Sequence, residues 1–142
     1  MTSYKVEVDL HLHTAHSDGT LTPEELITFC KEKDLKIVSV TDHDITSGLS
    51  EAEEISSKMG IELIPGIELG ATWESSEIHI LGYYIDQNDR HFQKVLIDFR
   101  EDRIFRGQAM VTKLQEMGLD ISFERVQKIA GEGAVGRPHI AR

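Results

Sequence analysis

His11 and His13 are two residues apart in a stretch that alternates apolar Val6, Val8, Leu10 and Leu12 with polar Glu7, Asp9, His11 and His13. In a strand, side chains two apart share a face. Both imidazoles therefore point the same way at the strand's end and can close on one cation. The chain then enters a polar loop carrying His16, Ser17, Asp18 and Gly19. Two same-face histidines followed at once by Asp18 suit metal binding. The other candidate ligands are His43 in Thr41-Asp42-His43-Asp44, Glu68 after Pro65-Gly66, His79 in IHILGYYI and His139 in GRPHIA. Neutral imidazole and carboxylate suit zinc, manganese or iron, and a carboxylate such as Glu68 can bridge two cations. Two or three divalent metal ions would hold a hydroxide between them, polarise a phosphoryl oxygen and steady the leaving oxygen. Bound water would ionise at a pH of about 7.

The elements that must position these groups read as alternating strands and helices. A strand is expected over 5–13. Thr22 then serves as N-cap, Pro23 suits the first helical position and Glu25 completes a capping box. Leu26, Ile27, Phe29 and Cys30 give this helix its apolar face, which ends near Asp34. LKIVSV, 35–40, reads as a mostly buried strand running into the Asp42-His43-Asp44 loop. A helix over 49–59 stops at Gly60, and strands follow over 61–69 and 78–85. The order strand, helix, strand, helix, strand is the signature of parallel β/α units. Such folds bind ligands at the C-terminal edges of their strands, where the candidate ligands lie. A long helix is expected over 91–117, stopped by Gly118. A shorter one is capped by Ser122, and another starts at Gly136-Arg137-Pro138 with Pro138 at its first position.

At 142 residues the chain can build one domain with a core. Its net charge of −10 argues against gripping duplex DNA through phosphates, but bound divalent cations would invert the local field for a phosphorylated substrate. The single cysteine, Cys30, excludes an intrachain disulfide. No apolar run is long enough for a membrane span and the N-terminus lacks a signal peptide's apolar segment, so a cytoplasmic protein is expected.

DLHLHTAHSDGTLTPEEL, VTDHD, PGIEL, HILGY and GRPHIA occur in this order and at fitting spacing. Together they resemble the PHP family, named for polymerase and histidinol phosphatase, and in particular its bacterial phosphoesterases of small nucleotides and RNA ends. The resemblance implies an α/β fold, a distorted barrel of about seven β/α units around a trinuclear metal centre. Residues 1–89 would be the N-terminal β/α units, 90–135 a helical insertion, and 136–142 the return to the barrel. The chain would thus be an incomplete (β/α)7 barrel. By the same resemblance His11 and His13 would share one metal with Glu68. Glu68 would bridge to a second metal held also by His79 and His139, and Asp18 with His43 would hold the third. Asp42 and Asp44 would orient ligands from behind, and Arg137 would clamp a substrate phosphate.

The family continues for more than a hundred further residues, which supply another histidine and a late Asp-x-His pair. This chain holds none of them after His139. It is therefore expected to need a C-terminal half or a second chain to complete the site, and to show little activity by itself. The expected reaction is hydrolysis of a phosphate ester of a small nucleotide or an RNA end. The alternatives are an amidohydrolase-like enzyme on the same centre and a non-catalytic metal-binding or interaction module. His16 reads as a loop residue, His91 as solvated at a helix start and Trp73 as packing. Arg100, Arg103 and Arg106, at i, i+3 and i+6, read as a solvated face paired with Glu101 and Asp102.

Overall fold

A computed structural model describes residues 7–74, 76–131 and 133–142. The chain opens with β1 (Val8–Leu12), α1 (Pro23–Glu32), β2 (Ile37–Val40), α2 (Leu49–Met59) and β3 (Glu62–Leu63). β1, β2 and β3 form one parallel sheet in that order, as two right-handed β/α crossovers would lay them down. The β1–β2 register shifts between Asp9 and Leu12. This bulge interrupts the strict alternation expected of the first strand and re-aims the residues after it. Val8 is 43% exposed.

Helix α1 starts as its sequence demands. The Thr22 hydroxyl accepts from the Glu25 N–H, and the Glu25 carboxylate accepts from the Thr22 N–H. Leu26, Ile27 and Cys30 are buried, whereas Phe29 is exposed with the Lys33 ammonium over its ring. Helix α2 ends at Gly60, whose φ of 68° is the left-handed conformation that glycine adopts without steric cost. These helices pack on the sheet through one cluster that includes Ile27, Val38, Val40, Leu49, Ala52 and Ile61.

The stretch 61–69 is two strands rather than one. Pro65, which has no N–H to give a ladder, separates β3 from β4 (Gly66–Trp73). β4 pairs antiparallel with β5 (Ser76–Tyr83), from Gly66↔Tyr83 to Trp73↔Ser76. This hairpin departs from the expected run of parallel β/α units. It joins the first sheet through a parallel bridge between His43 and Glu68, where Glu68 N–H donates to the Asp42 carbonyl and Asp44 N–H to the Glu68 carbonyl. The approach is close: a Cβ on Gly66 would lie 2.3 Å from the Ser39 Oγ.

Helix α3 (Arg90–Glu116) is capped by the Asp89 carboxylate, which accepts from the Phe92 N–H at 2.7 Å. α4 (Phe123–Ala130) is capped by Ser122, and α5 (Arg137–Ile140) carries Pro138 at its second position. A second apolar cluster, Val111, Val126, Ala130 and Val135, binds these helices together. The Ala134 N–H donates to the His16 carbonyl and so ties this layer to the loop after β1. Among the described residues no helix is long and apolar enough to cross a membrane.

Candidate metal centre

Glu68 is the third residue of β4 and is 4% exposed. Four imidazoles surround its carboxylate. His11 Nε2 and His13 Nε2 lie 2.9 and 3.0 Å from Oε2, and His43 Nδ1 lies 3.6 Å from the same oxygen. His79 Nδ1, from β5, lies 2.5 Å from Oε1. Burial alone would raise the Glu68 pKa. The His11 hydrogen bond and the neighbouring histidines outweigh it and hold the carboxyl below its usual range.

Asp42 builds the loop that presents His13. Its carboxylate accepts the Thr14 N–H at 2.7 Å and the hydroxyls of Thr14 and Ser17 at 2.5 Å each. The Ser17 hydroxyl has one proton and gives it to Asp42, so at 3.2 Å it accepts from His13 Nδ1. That leaves the lone pair of His13 on Nε2, facing Glu68. Asp18 takes a similar part. Its Oδ1 lies 3.3 Å from His13 Nδ1 and its Oδ2 3.5 Å from His43 Nε2. Bonds from His13 and His43 hold the Asp18 carboxyl far below the usual carboxylate range. Burial lowers the pKa of His13, but the Asp18 and Glu68 carboxylates outweigh it and raise it. His43 Nδ1 is buried with no hydrogen-bond partner among the described residues, an expensive state unless a cation takes its lone pair.

Among the described residues, three donor sets have their ligand atoms within 4.8 Å of one another: His11, His13 and Glu68; His43, Glu68 and His79; and His13, Asp18 and His43. This donor chemistry fits zinc, manganese or iron. A neutral imidazole has one lone pair, so His13 and His43 can each serve one cation. The first two sets share only Glu68, whose two oxygens can bridge. The third set would take an imidazole from each of the others.

His139, expected beside Glu68 and His79, is not in these sets. It is buried, its Nδ1 accepts the Gly136 N–H at 3.0 Å, and its ring also bonds the Ser17 backbone. Burial lowers its pKa, with Asp18 opposing. Asp44 also differs from its expected part. It receives Arg103 Nε on one oxygen and the Gly70 N–H on the other, fastening α3 to β4 rather than orienting a ligand. Arg137 sits at the rim, paired with Glu77 at 2.6 Å.

The arginine row of α3 faces inward, against expectation. Arg103 is 5% exposed against Asp44, Arg100 donates to the Asp44 carbonyl, and Arg106 pairs with Glu77. Trp73, expected to pack, is 69% exposed. His16 bonds Ser47 in the loop, and His91 is exposed in the first turn of α3. The sequence reading missed Thr14, Ser17 and Glu77. Only Glu77 carried a signal, its place two residues before His79 on one strand face.

The candidate ligands thus gather where the ends of β1 and β2 meet the β4–β5 hairpin of an α/β fold. The chain belongs to the PHP family: the PHP domain matches residues 9–126. It is 39% identical over 143 residues to the 5'-3' exoribonuclease Rnm of Escherichia coli K12, covering 99% of this chain and 49% of that protein. It is 32% identical to the 3',5'-nucleoside bisphosphate phosphatase of Chromobacterium violaceum, covering 95% of this chain and 48% of that one. A solved structure described as an amidohydrolase from Chromobacterium violaceum, with sulfate bound and no metal, superposes with a TM-score of 0.89 at 32% identity. That match covers 96% of this chain and 49% of the other. A solved structure described as a metal-dependent phosphoesterase from Bifidobacterium adolescentis superposes at 0.85 with 34% identity, covering 94% of this chain and 48% of the other. The chain spans about half the length of the relatives it matches.

Proposed function

We propose that this chain carries the metal-binding part of a phosphoesterase that hydrolyses phosphate esters of small nucleotides or RNA ends. The observation that carries the reading is the convergence of His11, His13, His43 and His79 on the buried Glu68 carboxylate, with the His43 Nδ1 lone pair unused. The lone-pair count favours two divalent cations: His11 and His13 would hold one, His43 and His79 would hold the other, and Glu68 would serve both. Asp18, Asp42 and Ser17 act from behind, receiving the outward N–H groups of the ligands or holding their loop. A third cation at Asp18 would need donors beyond these six residues. The parallel β1–β3 sheet, with β4 bridged to it at His43, is read as the opening of a PHP barrel that further chain or a second chain would complete.

When bound, such cations supply Lewis-acid polarisation of a phosphoryl oxygen and bring water's ionisation near neutral pH. The chain's residues hold and orient. Glu68 supplies negative charge to both cation positions, and Arg137 offers a planar fork at the rim for a phosphate. The relatives named for RNA and nucleotide substrates support phosphate esters over amides.

Titration calorimetry with Mn2+ or Zn2+ tests the centre, and phosphate release from a nucleoside 3',5'-bisphosphate tests the chemistry. The wild type is expected to bind about two cations, and Glu68→Gln to lose at least 10-fold in affinity at both positions. Metal binding indifferent to Glu68 overturns the site. Turnover of amides but not phosphate esters would favour the amidohydrolase reading.

A further inference from the structure

Each imidazole turned toward Glu68 through one nitrogen meets an acceptor at the other in three of four cases. His13 Nδ1 faces Ser17 and Asp18, and His43 Nε2 faces Asp18. For His79 the acceptor is Glu77, whose Oε1 lies 3.3 Å from Nε2. Glu77 precedes His79 by two residues in β5 and so shares its face of the strand. A cation taking the Nδ1 lone pair of His79 requires the ring proton on Nε2, where Glu77 receives it.

The same carboxylate has two other partners. Arg106 Nη1 of α3 lies 2.5 Å from Oε1, and Arg137 Nη2 of α5 lies 2.6 Å from Oε2. Glu77 is thus the point where β5, α3 and α5 meet beside the candidate metal centre. The Arg137 side chain is 62% exposed. An exposed pair of this kind is weak, whereas a phosphate can take both arms of the guanidinium fork. Phosphate and Glu77 therefore compete for one guanidinium.

We propose that Glu77 is a positioning residue that links the metal centre to phosphate capture, accepting the outward N–H of His79 while parking Arg137 until a phosphate group displaces it. The ligand role of His79 rests on the proposed function, but the competition for Arg137 does not.

Glu77→Gln tests both halves, with Zn2+ and inorganic phosphate as separate titrants in calorimetry. Loss of a carboxylate behind a ligating histidine lowers metal affinity by about 10- to 100-fold, and that is the expected loss. Phosphate affinity is expected to rise severalfold, because Arg137 is released. Opposite signs are the decisive reading, since a merely structural role would weaken both. The phosphate gain must also vanish in the Glu77→Gln, Arg137→Gln double variant; a gain that persists overturns the competition and marks a general charge effect. Arg137→Gln alone, which leaves Glu77 on His79, is expected to keep metal affinity and lose phosphate affinity. This exposed-site variant decides the matter if Glu77→Gln does not fold: a fall in its metal affinity, or unchanged phosphate binding, overturns the proposal. A wild type that binds no Zn2+ overturns the proposed function, while phosphate titrations of the metal-free chain still judge the competition.

Discussion

Glu68 offers two oxygens to four imidazoles, and three of those imidazoles meet an acceptor behind them. Thr14 and Ser17 spend their hydroxyl protons on Asp42, and Ser17 is thereby left as an acceptor for His13. A side chain's proton inventory, rather than its distance from the centre, thus decides which nitrogen faces inward. Cys30 shows the opposite use of a reactive side chain. It is 1% exposed in the α1 core face, and burial raises its thiol pKa to about 11. The thiolate is the reactive form. We expect Cys30 in the folded chain to react with Ellman's reagent at pH 8 at least about 100-fold more slowly than in urea. Equal rates in the two states would show that α1 does not seal this face.

At the scale of elements, α3 is held by charge as much as by apolar packing. Arg103 is buried against Asp44, with Arg100 on the Asp44 carbonyl. Removing one partner of a buried pair typically costs about 3–5 kcal/mol, because the other charge is left without compensation. Arg103→Met is expected to fall in that range by urea unfolding. The Arg103→Met, Asp44→Leu double variant should recover part of it, since two apolar groups leave no orphaned charge. A double variant as unstable as the sum of the singles would mean that the pair carries no coupling. The pairing also marks where sequence reading stops. Helical spacing put Arg100, Arg103 and Arg106 on one face, but which face is buried depends on Asp44 and Glu77, which belong to other elements. Local chemistry was legible: the Thr22-Glu25 capping box and the Gly60 stop are set by neighbours within a turn. The β4–β5 hairpin was not, because the short stretch between Trp73 and Ser76 carries no Asn-Gly or Asp-Gly hairpin signal. For the centre, the inward placement of His11, His13, His43, Glu68 and His79 followed from strand periodicity and family motifs. The position of His139 did not, because the ring turns back on its own helix cap and the Ser17 backbone.

On the scale of the whole molecule, the centre is the place where separately packed parts meet. One apolar cluster unites α1, α2 and the parallel sheet, and another unites α3, α4 and α5. The candidate ligands come from β1, the loops after β1 and β2, β4 and β5, so cations bound among them crosslink segments as much as 57 residues apart. It would also neutralise part of a chain whose formal net charge is −10. A ligand that binds only the folded state at about 100 times its dissociation constant stabilises by about 2.7 kcal/mol. For a chain of this size, each kcal/mol raises the melting temperature by about 2–4 °C. Saturating Zn2+ or Mn2+ should therefore raise the thermal midpoint by roughly 5–10 °C, and a chelator should reverse the gain. Glu68→Gln separates this centre from loose adsorption on an acidic surface. If the cations bind around Glu68, the variant gains about half as much as the wild type or less on adding metal. If the variant gains as much as the wild type, the ions sit elsewhere on the negative surface and the histidine cluster is not what holds them.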